Sequence, residues 1–98
     1  MSLITLTTDF GTRDGAVSAI KGVAAGVSRA LAVSDLTHDP RNGVWEGAYR
    51  LWQTAPFWPA GTVFVCVIDP GVGTARRPVV LRTNAGHLFV APDNGVLT

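Results

Sequence analysis

The chain has 98 residues, enough for one small domain, and at 47% hydrophobic with 15% charged it is too apolar to be disordered. Eight basic residues against seven acidic leave a net charge of +1 with no run of Lys or Arg, which excludes the electrostatic footprint of a protein that binds nucleic acid or an anionic membrane. No apolar segment reaches the roughly 18 residues that span a bilayer, MSLITLTTDF lacks the basic start and long apolar region of a signal peptide, and one cysteine forms no internal disulfide, so a cytoplasmic location is expected.

Taken in order, Leu3 to Thr8 (LITLTT) reads as a strand that stops on Asp9, with Phe10 and Gly11 behind it. Thr12 or Asp14 can cap the helix that follows. Its apolar positions Val17, Ile20, Val23, Ala24 and Val27 recur at helical spacing, while Lys21 and Ser28 fall off that stripe, so an amphipathic helix packed on a sheet is expected. Leu31 to Leu36 (LAVSDL) is a weaker strand that runs into Thr37, His38, Asp39 and Pro40, where a loop begins because Pro disfavours helix before it. Asn42 to Ala55 reads as a second helix, with Asn42 as cap and Val44, Ala48, Leu51, Trp52 and Ala55 along one face. Trp45 and Trp52 are expected as core or interface anchors rather than as a platform for a base.

Val63 to Ile68 is an unbroken apolar run bounded by Gly61 and Pro70, the pattern of a strand covered on both faces, with Cys66 as a small core residue. The run ends on Asp69, and Pro70, Gly71 and Gly73 form a loop that cannot continue the strand and that lets backbone N–H groups approach a ligand. Arg76 and Arg77 close it with positive charge. Pro78 to Thr83 and His87 to Ala91 are two short strands joined by Asn84, Ala85 and Gly86, a hairpin in which His87 is an exposed or packing residue. Pro92 to Gly95 is turn chemistry, and Val96 and Leu97 look like the start of another apolar element, so the chain is expected to stop inside a domain. The order β-α-β-α-β plus a hairpin gives an α/β fold: a Rossmann-like, mostly parallel sheet with flanking helices and antiparallel pairing at the end.

Ligands of open α/β sheets collect at the carboxyl ends of the strands. Asp69, the glycine loop and Arg76 converge there, and so does Asp9. The residues alone leave open a binding site or a tight turn with a surface salt bridge. A phosphate site is disfavoured, because the loop lacks the Lys and following Ser or Thr of a P-loop and Asp69 would repel an anion.

Four segments in matching order carry a resemblance: TTDFGTRD (Thr7 to Asp14), DLTH (Asp35 to His38), GTVFVCVIDPGVGTARR (Gly61 to Arg77) and PDNGVLT (Pro92 to Thr98). Together they resemble the S-adenosyl-L-methionine hydroxide adenosyltransferases, relatives of the fluorinase and chlorinase enzymes. The resemblance implies hydrolysis of S-adenosyl-L-methionine to adenosine and L-methionine by attack of water or hydroxide at the ribose 5′-carbon. S-adenosyl-L-methionine is then the substrate, and neither a cofactor nor a metal is implied.

Carried over by position, the ribose-binding carboxylate falls on Asp9, whose two oxygens can accept hydrogen bonds from both ribose hydroxyls. Asp14 matches a position that in the halogenase relatives approaches the methionine amino group, and it equally suits a helix cap. Asp69 and Arg76 match two members of an Asp–Arg–His set that holds and activates water; the Arg can orient the carboxylate and keep it ionised. In the halogenases the Asp69 position is a Tyr in a different loop, so DPGVGTARR implies hydroxide rather than halide. Gly71 and Gly73 shape the loop, and Asn94 fixes the neighbouring turn or meets the ligand. Three departures stand against the pattern. The family's His lies past residue 98, and neither His38 nor His87 matches it. The loop between His38 and Gly47 is about one residue shorter than usual, with Arg41 and Asn42 where an aromatic residue is common. The family's C-terminal β-barrel domain, which completes the pocket across a trimer interface, is absent. Residues 1–98 are thus expected to be a truncated N-terminal domain of a protein that is a homotrimer at full length, with little activity alone. The rival reading is a non-catalytic nucleoside-binding or assembly module.

Overall fold

The computed structural model describes residues 2–39, 43–68, 77–94 and 96–97. Strand β1 (Ser2–Thr8) leads through helix α1 (Ala16–Val27) to β2 (Leu31–Thr37), then through α2 (Gly43–Thr54) and a 3₁₀ turn (Ala55–Phe57) to β3 (Val63–Val67), and the hairpin β4 (Pro78–Arg82) and β5 (Leu88–Pro92) follows. The sheet order is β2-β1-β3-β5-β4, parallel except for the antiparallel β4–β5 pair. The expected α/β architecture is therefore present. From β1 the chain steps outward to β2 and then crosses back past β1 to β3. Right-handed crossovers in opposite directions put α1 and α2 on opposite faces of the sheet.

Register decides what each helix covers. Thr5, Phe64 and Phe89 lie side by side across β1, β3 and β5, so they share one face. On that face Phe64, Cys66, Ile68, Phe89 and Ala91 pack with Leu51 of α2 and with Val96, and Val44 and Ala48 of the helix and Ala55 of the 3₁₀ turn join them. Phe64 is the centre of this core: it is fully buried, stacks on Phe89 at 4.7 Å and meets the edge of His87 at 5.3 Å. His87 is thus a packing residue, its Nε2 bonded to the Trp58 carbonyl at 2.9 Å. Gly47 is the point of closest approach between α2 and the sheet, since a Cβ there would collide with Cδ1 of buried Ile68.

Three expectations need correcting. The β3 strand is not covered equally on both faces: Phe64 and Cys66 are buried, whereas Val63, Val65 and Val67 are only partly so. The α1 stripe is narrower than its periodicity suggests. Val17 is buried and Ile20 and Ala24 are half-buried, but Val23 and Val27 are 72% and 81% exposed. Lys21, expected off the stripe, is half-buried and reaches Asp35 of β2 at 2.8 Å, so the side of α1 nearest the sheet carries a polar contact beside Val17 and Ile20. Of the two roles expected for Trp45 and Trp52, core and interface anchor, the core is excluded: they are 71% and 75% exposed and stack with Tyr49 between them along α2.

The core also contains two hydroxyls without visible purpose. Oγ1 of Thr5 and of Thr7 is buried and finds no hydrogen-bond partner among the described residues. Leaving a buried hydroxyl unpaired costs about 1–3 kcal/mol, and valine has the same branched shape without that group. Thr5→Val should therefore stabilise the chain by about 1 kcal/mol and raise Tm by about 4–8 °C in thermal unfolding. An unchanged or lower Tm would show that the hydroxyl has a partner.

Candidate functional site

The candidate site lies at the carboxyl ends of the parallel strands β1 and β3, the switch point from which β2 is added on one side of β1 and β3 on the other. Asp9 leaves β1 directly, is exposed, and its backbone N–H donates to the Val67 carbonyl at 3.3 Å. The end of β1 is thereby tied to the end of β3, two residues before Asp69. Gly11 closes the turn with φ +72°, a left-handed value that favours glycine, and its N–H donates to the His38 carbonyl at 2.8 Å. Asp69, Gly71, Gly73 and Arg76 lie outside the described residues.

Asp14 is placed one residue ahead of the α1 N-cap position, which is Gly15, and its Oδ1 accepts the Ala16 N–H at 3.0 Å. Its geometry serves the helix start. Asn94 uses both ends of its side chain: Nδ2 donates to the Ile68 carbonyl at 2.6 Å and Oδ1 accepts the Val96 N–H at 3.2 Å. It therefore holds the turn after β5 against the backbone that enters position 69. The sulfur between these strand ends is inert. Burial pushes the Cys66 thiol up to about 11, against a backbone hydrogen bond at Ile68 that lowers it, and the Asp9 carboxylate adds to the rise. A thiol kept neutral is a poor nucleophile.

Sequence reasoning missed a polar chain behind Asp9. Thr8 Oγ1 lies 2.7 Å from His38 Nδ1, His38 Nε2 lies 2.7 Å from Asp35 Oδ1, and Asp35 Oδ2 accepts from Lys21 Nζ at 2.8 Å. The Lys21 ammonium, and after it the His38 ring, holds the Asp35 carboxyl below the usual carboxylate range. The clue in the sequence was that three strand ends carry polar residues, but pairing partners 30 residues apart needs the register. A cleft of about 860 Å³ between α2 and the hairpin lies elsewhere: Tyr49, Trp52, Phe57, Leu81 and Phe89 line it, and none of its lining residues is an Asp, Glu, Lys or Arg. It holds no carboxylate to accept hydrogen bonds from a ribose diol.

Comparison with known proteins places the chain in a family. The chain is 50% identical over 95 residues to an (R)-S-adenosyl-L-methionine hydrolase of Salinispora arenicola, covering 96% of this chain and 36% of that protein. It is 40% identical over 104 residues to one of Methanocaldococcus jannaschii, covering 100% of this chain and 39% of that protein. An uncharacterized conserved protein of Thermotoga maritima has a crystal structure that superposes with a TM-score of 0.90 at 38% identity, over 97% of this chain and 36% of that one. The chain thus spans well under half the length of the relatives it matches. Residues 4–98 match the model of the S-adenosyl-L-methionine (SAM) hydroxide adenosyltransferase N-terminal domain, and the chain belongs to that family.

Proposed function

We propose that residues 1–98 are part of the N-terminal, substrate-binding domain of an enzyme that hydrolyses S-adenosyl-L-methionine to adenosine and L-methionine. The observation that carries the reading is the tie between the ends of β1 and β3, the Asp9 N–H donating to the Val67 carbonyl at the switch point of the sheet. The relatives named as hydrolases of this compound support it. Asp9 takes the ribose hydroxyls; Asp69, oriented by Arg76, holds the water that attacks the 5′-carbon, and Gly71 and Gly73 let the loop close on the ligand. The departing sulfonium leaves as neutral L-methionine thioether, so acid assistance and a separate cofactor are unnecessary, and catalysis rests on aligning and partly desolvating the nucleophile. Asp14 and Asn94 shape the pocket from the helix start and from the turn after β5. At full length the working form is a cytoplasmic homotrimer, with the remaining pocket contacts supplied by a C-terminal domain.

Chromatography after incubation with S-adenosyl-L-methionine tests the reading: the full-length enzyme should release adenosine and L-methionine in equal amounts, with no halogenated nucleoside in the presence of halide. The 98-residue chain alone should release little or none. Asp9→Asn replaces one charge-assisted acceptor by a donor, and hydrogen bonds to charged groups are worth about 1.5–3 kcal/mol, so KM should rise about 10- to 150-fold with kcat nearly unchanged. Binding of the compound without turnover at full length would instead identify a nucleoside-binding module.

A further inference from the structure

The DLTH segment ends in a histidine to which the proposed chemistry gives no role, yet His38 is 7% exposed and is held at three points. Its Nδ1 meets Thr8 Oγ1, its Nε2 meets Asp35 Oδ1, and its carbonyl accepts the Gly11 N–H. Thr8 and Gly11 flank the turn that carries Asp9. Thr8 Oγ1 also accepts the Phe10 N–H at 3.2 Å, which leaves its hydroxyl proton to donate to Nδ1. A neutral ring with its proton on Nε2, donated to Asp35, satisfies every one of these bonds.

The geometry has a local cause. Leu6 pairs with Asp35 but Thr7 pairs with Thr37, so Leu36 is an extra residue in β2, and the shift brings His38 opposite Thr8. Such irregularities commonly re-aim a side chain beside a functional site. The chain of bonds has the composition of a nucleophile, base and acid array, but Thr8 is fully buried, so its hydroxyl cannot meet a substrate. What the array can do is hold a turn in place.

We propose that His38 is a positioning residue that clamps the Asp9–Gly11 turn from both sides, by its ring through Thr8 and by its carbonyl through Gly11, so that the Asp9 carboxylate is set for the ribose hydroxyls; the role at the substrate rests on the reading of Asp9 given above. Misplacing a binding group by about 1 Å can cost about a hundredfold in rate. Because Asp9 grips a part of the substrate that does not react, the loss should fall on KM.

In the full-length enzyme His38→Ala should raise KM about tenfold with kcat within about twofold, and should speed hydrogen exchange at the Phe10 and Gly11 amides. His38→Asn places an acceptor near the position of Nδ1 and should recover most of the KM, whereas His38→Gln restores only the donor toward Asp35 and should not. A purely structural role in anchoring β2 through Asp35 predicts the reverse order of rescue and would overturn the proposal. Unchanged exchange at Phe10 and Gly11 in His38→Ala would also overturn it. If Asp9→Asn leaves KM untouched, the ribose reading of Asp9 fails, and the exchange result still decides whether the clamp exists.

Discussion

Replacing Phe64 by alanine should cost about 3–5 kcal/mol, most of the stability that a chain of this size has to lose. Phe64 has no exposed surface, sits in the central strand of the three that form the core face, stacks on Phe89 and receives the edge of His87. Removing its ring deletes the stacking partner, leaves a cavity under Leu51 of α2, and strips the packing that holds the hairpin against β3. The neighbours cannot collapse into that space cheaply, because the hairpin register and the His87–Trp58 bond fix them. At about 4–8 °C per kcal/mol for a domain of this size, Tm should fall by roughly 12–40 °C, read by circular dichroism. Phe57→Ala is the matched control: the same side chain at 87% exposure should shift stability by less than about 0.5 kcal/mol. Equal effects at the two positions would mean that α2 and the hairpin do not share the core described here.

The same residues show what was legible in the sequence. The order of elements along the chain, the mostly parallel sheet and the terminal hairpin followed from apolar runs that stop on Asp and Gly, since period and punctuation are local properties. The rotation of α1 was not legible, because Val17, Ile20 and Ala24 compete with Val23 and Val27 for the inner face, and the contact of Lys21 with Asp35 joins residues 14 apart that no local pattern pairs. Unequal covering of β3 was hidden for a similar reason: six apolar residues in a row say nothing about how much helix lies over each face. His38 was the largest omission. Its partners are Thr8, 30 residues away, and Asp35, and the contact depends on one extra residue in β2 that no propensity announces.

These omissions share a physical pattern that bears on the site. The described strand ends that lead into the candidate carboxylates are each braced by a polar side chain from a neighbouring segment. His38 braces the end of β1 through Thr8, and Asn94 braces the end of β3 through the Ile68 carbonyl. A carboxylate on a loop is a precise ligand only if its backbone is fixed, and side-chain bonds to that backbone supply the rigidity.

That bracing sharpens the expected behaviour of Asp69. In the full-length enzyme Asp69→Ala should lower kcat by about 10²–10⁴-fold, the usual range for losing a group that handles the proton of the attacking water, while KM changes by less than about threefold. The split follows from the chemistry proposed here. The sulfonium needs no acid to depart, so the barrier lies in presenting a desolvated oxygen nucleophile, and Asp69 acts on that oxygen rather than on the substrate. Because Asn94 fixes the Ile68 carbonyl independently of the side chain at position 69, the backbone entering the loop should stay in place in the variant, and Tm should move little. Asp69→Asn keeps the size and one acceptor but loses the charge. It should fall between wild type and alanine if alignment and ionisation both matter, and should match alanine if ionisation alone does. A rise in KM with kcat preserved would place Asp69 on the substrate instead of the water, and the assignment of hydroxide as nucleophile would then be wrong.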